Sequence, residues 1–156
     1  MVEFDKSILD IEYDMGTYEI TKEDIIRFSR AHQEVDPVFY DESAAAESRY
    51  GGIIAPPNFF NQIILPESCP DIRIEYGSLE LFAGQELEQR RPMRPGDVIT
   101  VKSKIADVFE KTGRSGKMIF MVREATYTDQ DGEVMVIVRS TMLQGTVDEV
   151  ESSSQD

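Results

Sequence analysis

The sequence predicts an α+β domain in which an antiparallel sheet wraps a central helix, and three observations carry that prediction. Between Ile20 and Leu65 apolar residues recur at helical spacing. From Ile72 onward they alternate with polar ones at period two, and Gly- and Asp-containing turns separate the alternating runs. A sheet with one apolar face must cover it, and one run of this chain is apolar on enough sides to be the cover.

A first strand precedes Thr21, whose hydroxyl is placed to cap a helix with Asp24 at its positive end and Ile20 stapled to Ile25. Ile25, Phe28 and His32 fall at i, i+3 and i+7 on its inner face, and Asp36-Pro37 ends it. Asp41 caps a second short helix, ESAAAESRY, closed by Gly51 or Gly52. Next comes IIAPPNFFNQIIL. Pro56 and Pro57 suit a helix's first turn because neither needs to donate there, and Phe59, Phe60, Ile63 and Ile64 make the run apolar on more than one side, as a buried helix is.

The period then switches through IRIEYGSLELFAGQELEQRRP, DVITVKSKIADVFEK, GKMIFMVREATYT and EVMVIVRSTMLQGTV. Ile99/Val101/Ile105, Met118/Phe120/Val122 and Val134/Val136/Val138 mark the apolar faces. Thr112-Gly-Arg-Ser-Gly116 and Asp129-Gln-Asp-Gly132 are turns between antiparallel neighbours, and Pro95-Gly96-Asp97 is a turn feeding the next strand. This is the hot-dog arrangement. One domain is expected over 1–146, followed by an acidic, disordered tail over 147–156.

At 156 residues, with 40% hydrophobic and 29% charged residues, the composition is that of one globular domain, and no apolar run approaches the roughly 20 residues of a bilayer span. MVEFDKSILDIEYD is too acidic and too broken for a signal peptide. A single cysteine, Cys69, excludes an internal disulfide and, with a single His32, a Cys/His metal cage, so a cytoplasmic protein without a metal or other cofactor is expected. The formal charge of −14 argues against nucleic acid, which needs clustered Lys and Arg, and requires any phosphate-bearing ligand to find a local basic patch.

Three stretches, RFSRAHQEVDPVFYDESAA, YGGIIAPPNFF and FAGQELEQRRPMRPGDVITV, resemble the MaoC-like hydratases and dehydratases from about Tyr18 to Met142. The likeness is to the N-terminal-type dehydratase domain, including the smaller partner subunits of (3R)-hydroxyacyl-carrier-protein dehydratases. It implies a hot-dog fold acting on coenzyme A or acyl-carrier-protein thioesters in lipid metabolism. In active members the loop reads Gly-Asp-x-Asn-Pro-x-His, and Asp and His together activate the water that adds across an enoyl double bond. Aligned on Asp36-Pro37, this chain has Glu34 in place of the Asp and Phe39 in place of the His. The family's oxyanion donor, a backbone N–H at a His-Gly opening the buried helix, is often worth about 3 kcal/mol of barrier. Here Pro56-Pro57 stands there, and proline has no N–H.

The resemblance therefore implies a substrate-channel subunit of a heteromeric (R)-specific enoyl-thioester hydratase or 3-hydroxyacyl-thioester dehydratase. Its MaoC-like partner would carry the Asp-x4-His loop, and an isolated chain would have little activity. Two alternatives stay open: a self-sufficient homodimer using Glu34 with His32, and a catalytically silent acyl-thioester-binding module. Glu34 reads as a solvated loop acid before a base, and His32 as a hydrogen-bonded, semi-buried histidine before a catalyst. Phe39, Pro57, Phe59 and Phe60 are candidates for an acyl-facing wall, set against plain core packing, and Tyr40 for a contact to the substrate carbonyl. Arg90, Arg91 and Arg94 are the densest positive stretch. They fit coenzyme A phosphates or an acidic carrier protein, and equally pairing with Glu86 and Glu88.

Overall fold

The computed structural model describes residues 3–65, 67, 69–74, 76–113 and 116–146. Five strands form one antiparallel sheet: β1 (Tyr13–Glu19), β2 (Leu79–Gln89), β3 (Val98–Gly113), β4 (Gly116–Thr128) and β5 (Val134–Gly145), in the order β1-β3-β4-β5-β2. Helices α1 (Lys22–Ala31) and α2 (Glu42–Glu47) and 3-10 turns at Pro37–Phe39 and Pro57–Gln62 lie between β1 and β2 in the chain. The predicted tail at 147–156, and the tip of the Thr112–Gly116 turn, fall outside the described residues.

The caps read from the sequence are in place. Thr21 accepts from the Asp24 N–H at 3.1 Å, and Asp41 from the Ala44 N–H at 3.0 Å. Helix α1 stops sooner than predicted, because Gln33 takes a left-handed conformation (φ 55°). Its N–H and that of Glu34 then turn back to the Arg30 and Ser29 carbonyls at 3.1 and 2.9 Å, which closes the helix in a Schellman motif. His32 is thus the C-cap and not an inner-face residue. Helix α2 likewise ends at Glu47, where the Ser48 hydroxyl donates to the Ala45 carbonyl at 2.6 Å, so Gly51 (φ 67°) closes the next turn rather than the helix.

The predicted buried helix forms as six residues of 3-10 helix. Phe59 N–H donates to the Pro56 carbonyl at 3.0 Å and Ile63 N–H to that of Phe60 at 3.2 Å. The proline pair supplies no donors, and Pro66 biases Leu65 away from the α conformation, so the sequence between them has no room for several α turns. Phe59 is fully buried and meets Phe28 of α1 edge-on at 5.4 Å, and Phe60 meets Tyr127 of β4 at 6.1 Å. Against them stand Ile99 and Val101 of β3 and Val136 and Val138 of β5, which define the inner face of the sheet.

Two strand expectations are corrected. Strand β2 begins at Leu79, not Ile72. Here Gly77 (φ 67°) lies so close to Gly145 that a Cβ would sit 2.0 Å from its carbonyl oxygen, and no other residue fits. On β4 the buried residues are Ile119 and Tyr127, with Ala125 partly buried on the same face. The predicted Met118/Phe120/Val122 set lies on the outer face, where Phe120 stacks on Phe109 at 5.1 Å.

Candidate functional site

The loop that follows α1 is held by its own short-range bonds. Asp36 accepts from the Val38 N–H at 3.0 Å, and Pro37 opens the 3-10 turn that carries Val38 into the core and sets Phe39 half-buried against it. The chain returns through Ile54, whose N–H reaches the Val38 carbonyl, and Ala55, whose N–H reaches the Met93 carbonyl at 2.8 Å. Pro56 and Pro57 are therefore presented beside this loop.

Within that frame, His32 is surface-exposed and its ring lies flat on Phe28 at 3.9 Å. Its Nδ1 is 2.9 Å from the Phe28 carbonyl, so it is the protonated, donating nitrogen. Glu34 is half-buried, and no hydrogen bond joins its carboxylate to His32 among the described residues. Tyr40 is half-buried with its hydroxyl 3.5 Å from the Val35 carbonyl. Of the predicted wall, Phe59 and Phe60 are core, Phe39 is half-buried, and Pro57 is exposed while Pro56 is buried. What this arrangement offers is apolar surface with one carboxylate at its margin. It brings together no acid–base pair.

The arginine stretch is built differently. The Arg91 guanidinium is bidentate to Asp97 at 3.0 and 3.2 Å and reaches Asp129 at 2.7 Å. The Asp97 hydrogen bonds raise the Arg91 pKa further above its ordinary value, and the Arg91 hydrogen bond holds Asp129 below the usual carboxylate range. Asp97 and Asp129 are themselves buried. Arg91 thus ties the turn before β3 to the turn after β4, and its carboxylate partners are Asp97 and Asp129 rather than Glu86 and Glu88. Arg94 donates to the Tyr50 carbonyl at 2.8 Å and Arg90 pairs with Glu88 at 3.1 Å, leaving Arg90 the most exposed of the three.

A second feature went unread in the sequence. A cavity of about 370 Å³ is lined by residues that include Ile72, Glu80, Met121, Arg123 and Gln144. Counting by twos from Tyr127 puts Arg123 on the inner face of β4, where it is exposed; the opposite alternation of this strand is apolar too. No group of His, Cys, Asp and Glu among the described residues is arranged to hold a metal ion, and none of their helices is long and apolar enough to cross a membrane.

Comparison with known families decides the lineage. The sequence model of the family described as "FAS1-like, dehydratase domain region" matches residues 9–138. The chain belongs to that family. Among curated relatives, the "UPF0336 protein" of Thermobifida fusca (strain YX) is 28% identical over 140 residues, 83% of this chain and 89% of that protein. Two solved structures share the fold. The MaoC-like dehydratase from Rhodospirillum rubrum has a TM-score of 0.68 at 20% identity, over 88% of this chain and 92% of its own. The HadBC (3R-hydroxyacyl-ACP dehydratase) complex from Mycobacterium tuberculosis gives 0.65 at 20%, over 89% and 98%.

The domain is thus a FAS1-like dehydratase region with the hot-dog fold that these solved structures share. In this chain the loop and the helix entry are held by capping acids and proline turns, Phe39 packs inward, and two imino acids open the next segment.

Proposed function

We propose that this chain is the substrate-channel subunit of a heteromeric (R)-specific enoyl-thioester hydratase or 3-hydroxyacyl-thioester dehydratase, working in the cytoplasm on coenzyme A or carrier-protein thioesters. The observation that carries the reading is the half-buried Phe39 packed on the core, beside a helix entry without N–H donors at Pro56 and Pro57. A phenyl ring moves no proton and a proline nitrogen donates no hydrogen bond, so water activation and enolate stabilisation must come from a neighbouring chain. Phe39, Tyr40 and Pro57 would then flank the acyl group, with Phe59 and Phe60 as the packed floor beneath, and Arg90 and Arg94 would meet the phosphates. Strand β2 is one edge of the sheet, and Leu81, Phe82 and Leu87 are exposed on it. A second hot-dog domain would extend the sheet at that edge and cover them. Likeness to the HadBC complex supports an assembly of this kind.

The test compares crotonyl-CoA hydration by the isolated chain and by the complex purified from the native host. The complex is expected to be at least about a hundredfold faster, the scale of a lost acid–base pair. A fast isolated chain that loses its activity on Glu34→Gln would reject the proposal in favour of a homodimer using its own carboxylate.

A further inference from the structure

Tyr127 of β4 stands in the floor beneath the acyl group with a hydroxyl that the fold does not use. The register flanks it with Val101 of β3 and Val136 of β5, Phe60 meets its ring at 6.1 Å, and the residue is only 8% exposed. A tyrosine this buried ordinarily gives its O–H a partner. Tyr18 donates to Asp24 at 3.0 Å and Tyr76 to the Lys117 carbonyl at 2.8 Å, although both are less buried. For Tyr127 no partner contributes: burial alone pushes its pKa up to about 12. Among the described residues, the side-chain oxygens that are both sealed from solvent and unpartnered are those of Asn58, Ser103 and Gln144. The Tyr127 hydroxyl is not one of them, so the ring is sealed while its tip reaches open space.

Such a group has one chemistry to offer. A phenol that stays protonated throughout the neutral range is neither base nor nucleophile there; it is an uncharged donor. An alkyl chain laid over it would strip water from the hydroxyl and return nothing, whereas an oxygen at that point takes the hydrogen bond. A carbonyl oxygen meets the need completely, because it brings no proton of its own. A hydroxyl would bring one, and the side chains of Phe60, Val101 and Val136 have nothing to accept it.

The position follows from the 57–62 segment. Side chains three residues apart eclipse on a 3-10 helix, so Phe60 lies about 6 Å along the segment from Pro57, at whose end the reading above sets the reacting group. An acyl chain running from Pro57 over Phe60 meets the phenol beyond its C2–C3 bond, roughly at its fifth carbon.

We propose that the Tyr127 hydroxyl is a specificity-determining contact, donating to a ketone oxygen carried on the acyl chain. The inference rests on the thioester reading above and deepens it: the substrates selected are oxo-acyl thioesters, and plain alkyl chains of the same length are disfavoured.

The experiment measures binding by calorimetry, using saturated thioesters that offer no 2,3 double bond, to the complex purified from the native host. 5-Oxohexanoyl-CoA is expected to bind roughly tenfold more tightly than hexanoyl-CoA, the scale of one well-made hydrogen bond in a desolvated site. Tyr127→Phe keeps the ring against Phe60 and should abolish the preference by weakening 5-oxohexanoyl-CoA alone. Should that variant not fold, the Cζ resonance of carbon-13-labelled Tyr127 in the unaltered complex decides the matter: it should move on addition of 5-oxohexanoyl-CoA and stay in place with hexanoyl-CoA. Equal binding of the two thioesters, a preference that survives Tyr127→Phe, or a resonance that responds to both alike overturns the contact while leaving the hydratase reading in place. Binding of neither thioester overturns both.

Discussion

The two ends of the inner face are built to opposite rules. Where β4 meets the 57–62 segment, Tyr127, Val136, Val138, Phe59 and Phe60 are buried, and α1 closes over them with Ile25 and Phe28. Toward the β2 edge the same face carries Phe82 at 61% exposure and Leu87 at 40%, and it holds the exposed Arg123. The sealed end is a complete core and accounts for the stability of the domain. The open end is apolar surface with polar groups set into it, which is how a binding or pairing surface differs from a core. Active-site likeness in the sequence points to the sealed end, whereas the exposed apolar side chains of the sheet edge that a second chain would cover lie at the other.

The sharpest way to break that contrast is to empty the sealed end. Phe59→Ala removes a fully buried ring between Phe28 and the sheet, and about 3–5 kcal/mol of stability should be lost in urea unfolding. A loss below about 1 kcal/mol would mean that the ring lines an open channel. A smaller effect sits at Tyr127, whose phenol burial pushes up from 10.0 to about 12. The unfolded chain releases this proton near pH 10 and the folded chain holds it to about 12. Below pH 10 the shift contributes nothing, and between these values stability falls as pH rises, by about 2–3 kcal/mol in all. Tyr127→Phe should remove that share of the alkaline loss; an unchanged alkaline limb would place the phenol in water.

The same contrast separates what the residues announced from what they hid. Caps at Thr21 and Asp41, the turn at Asp129–Gly132 and the switch from helical to period-two spacing were legible because each rests on chemistry local to a few residues. The 3-10 form of the 57–62 segment follows from prolines on both sides, a signal present but outweighed by its apolar content. Arg123 stayed hidden because MIFMVREATY is apolar on both alternations, and only the pairing of β4 with β3 and β5 says which one faces the core. The pairing of Arg91 was hidden for a related reason. Its partners Asp97 and Asp129 are 6 and 38 positions away, and a salt bridge of that span is a property of the folded chain.

The smallest expected change in stability falls at the open end, and it is the most discriminating. Phe82 pairs with Met142 across the β2–β5 ladder yet leaves most of its ring in solvent, so Phe82→Ser removes little buried area. Unfolding of the isolated chain should shift by no more than about 0.5 kcal/mol, as for surface substitutions in general. Association with the proposed partner should weaken by at least about tenfold if this ring is one of the anchors the partner covers. Both halves of the result matter, because each end of the comparison supplies one. A large loss of stability in the isolated chain would make the β2 end part of the core. Unchanged association would move the partner to the opposite edge of the sheet, at β1, where Tyr13 and Tyr18 are already packed against the core and leave less apolar surface to bury.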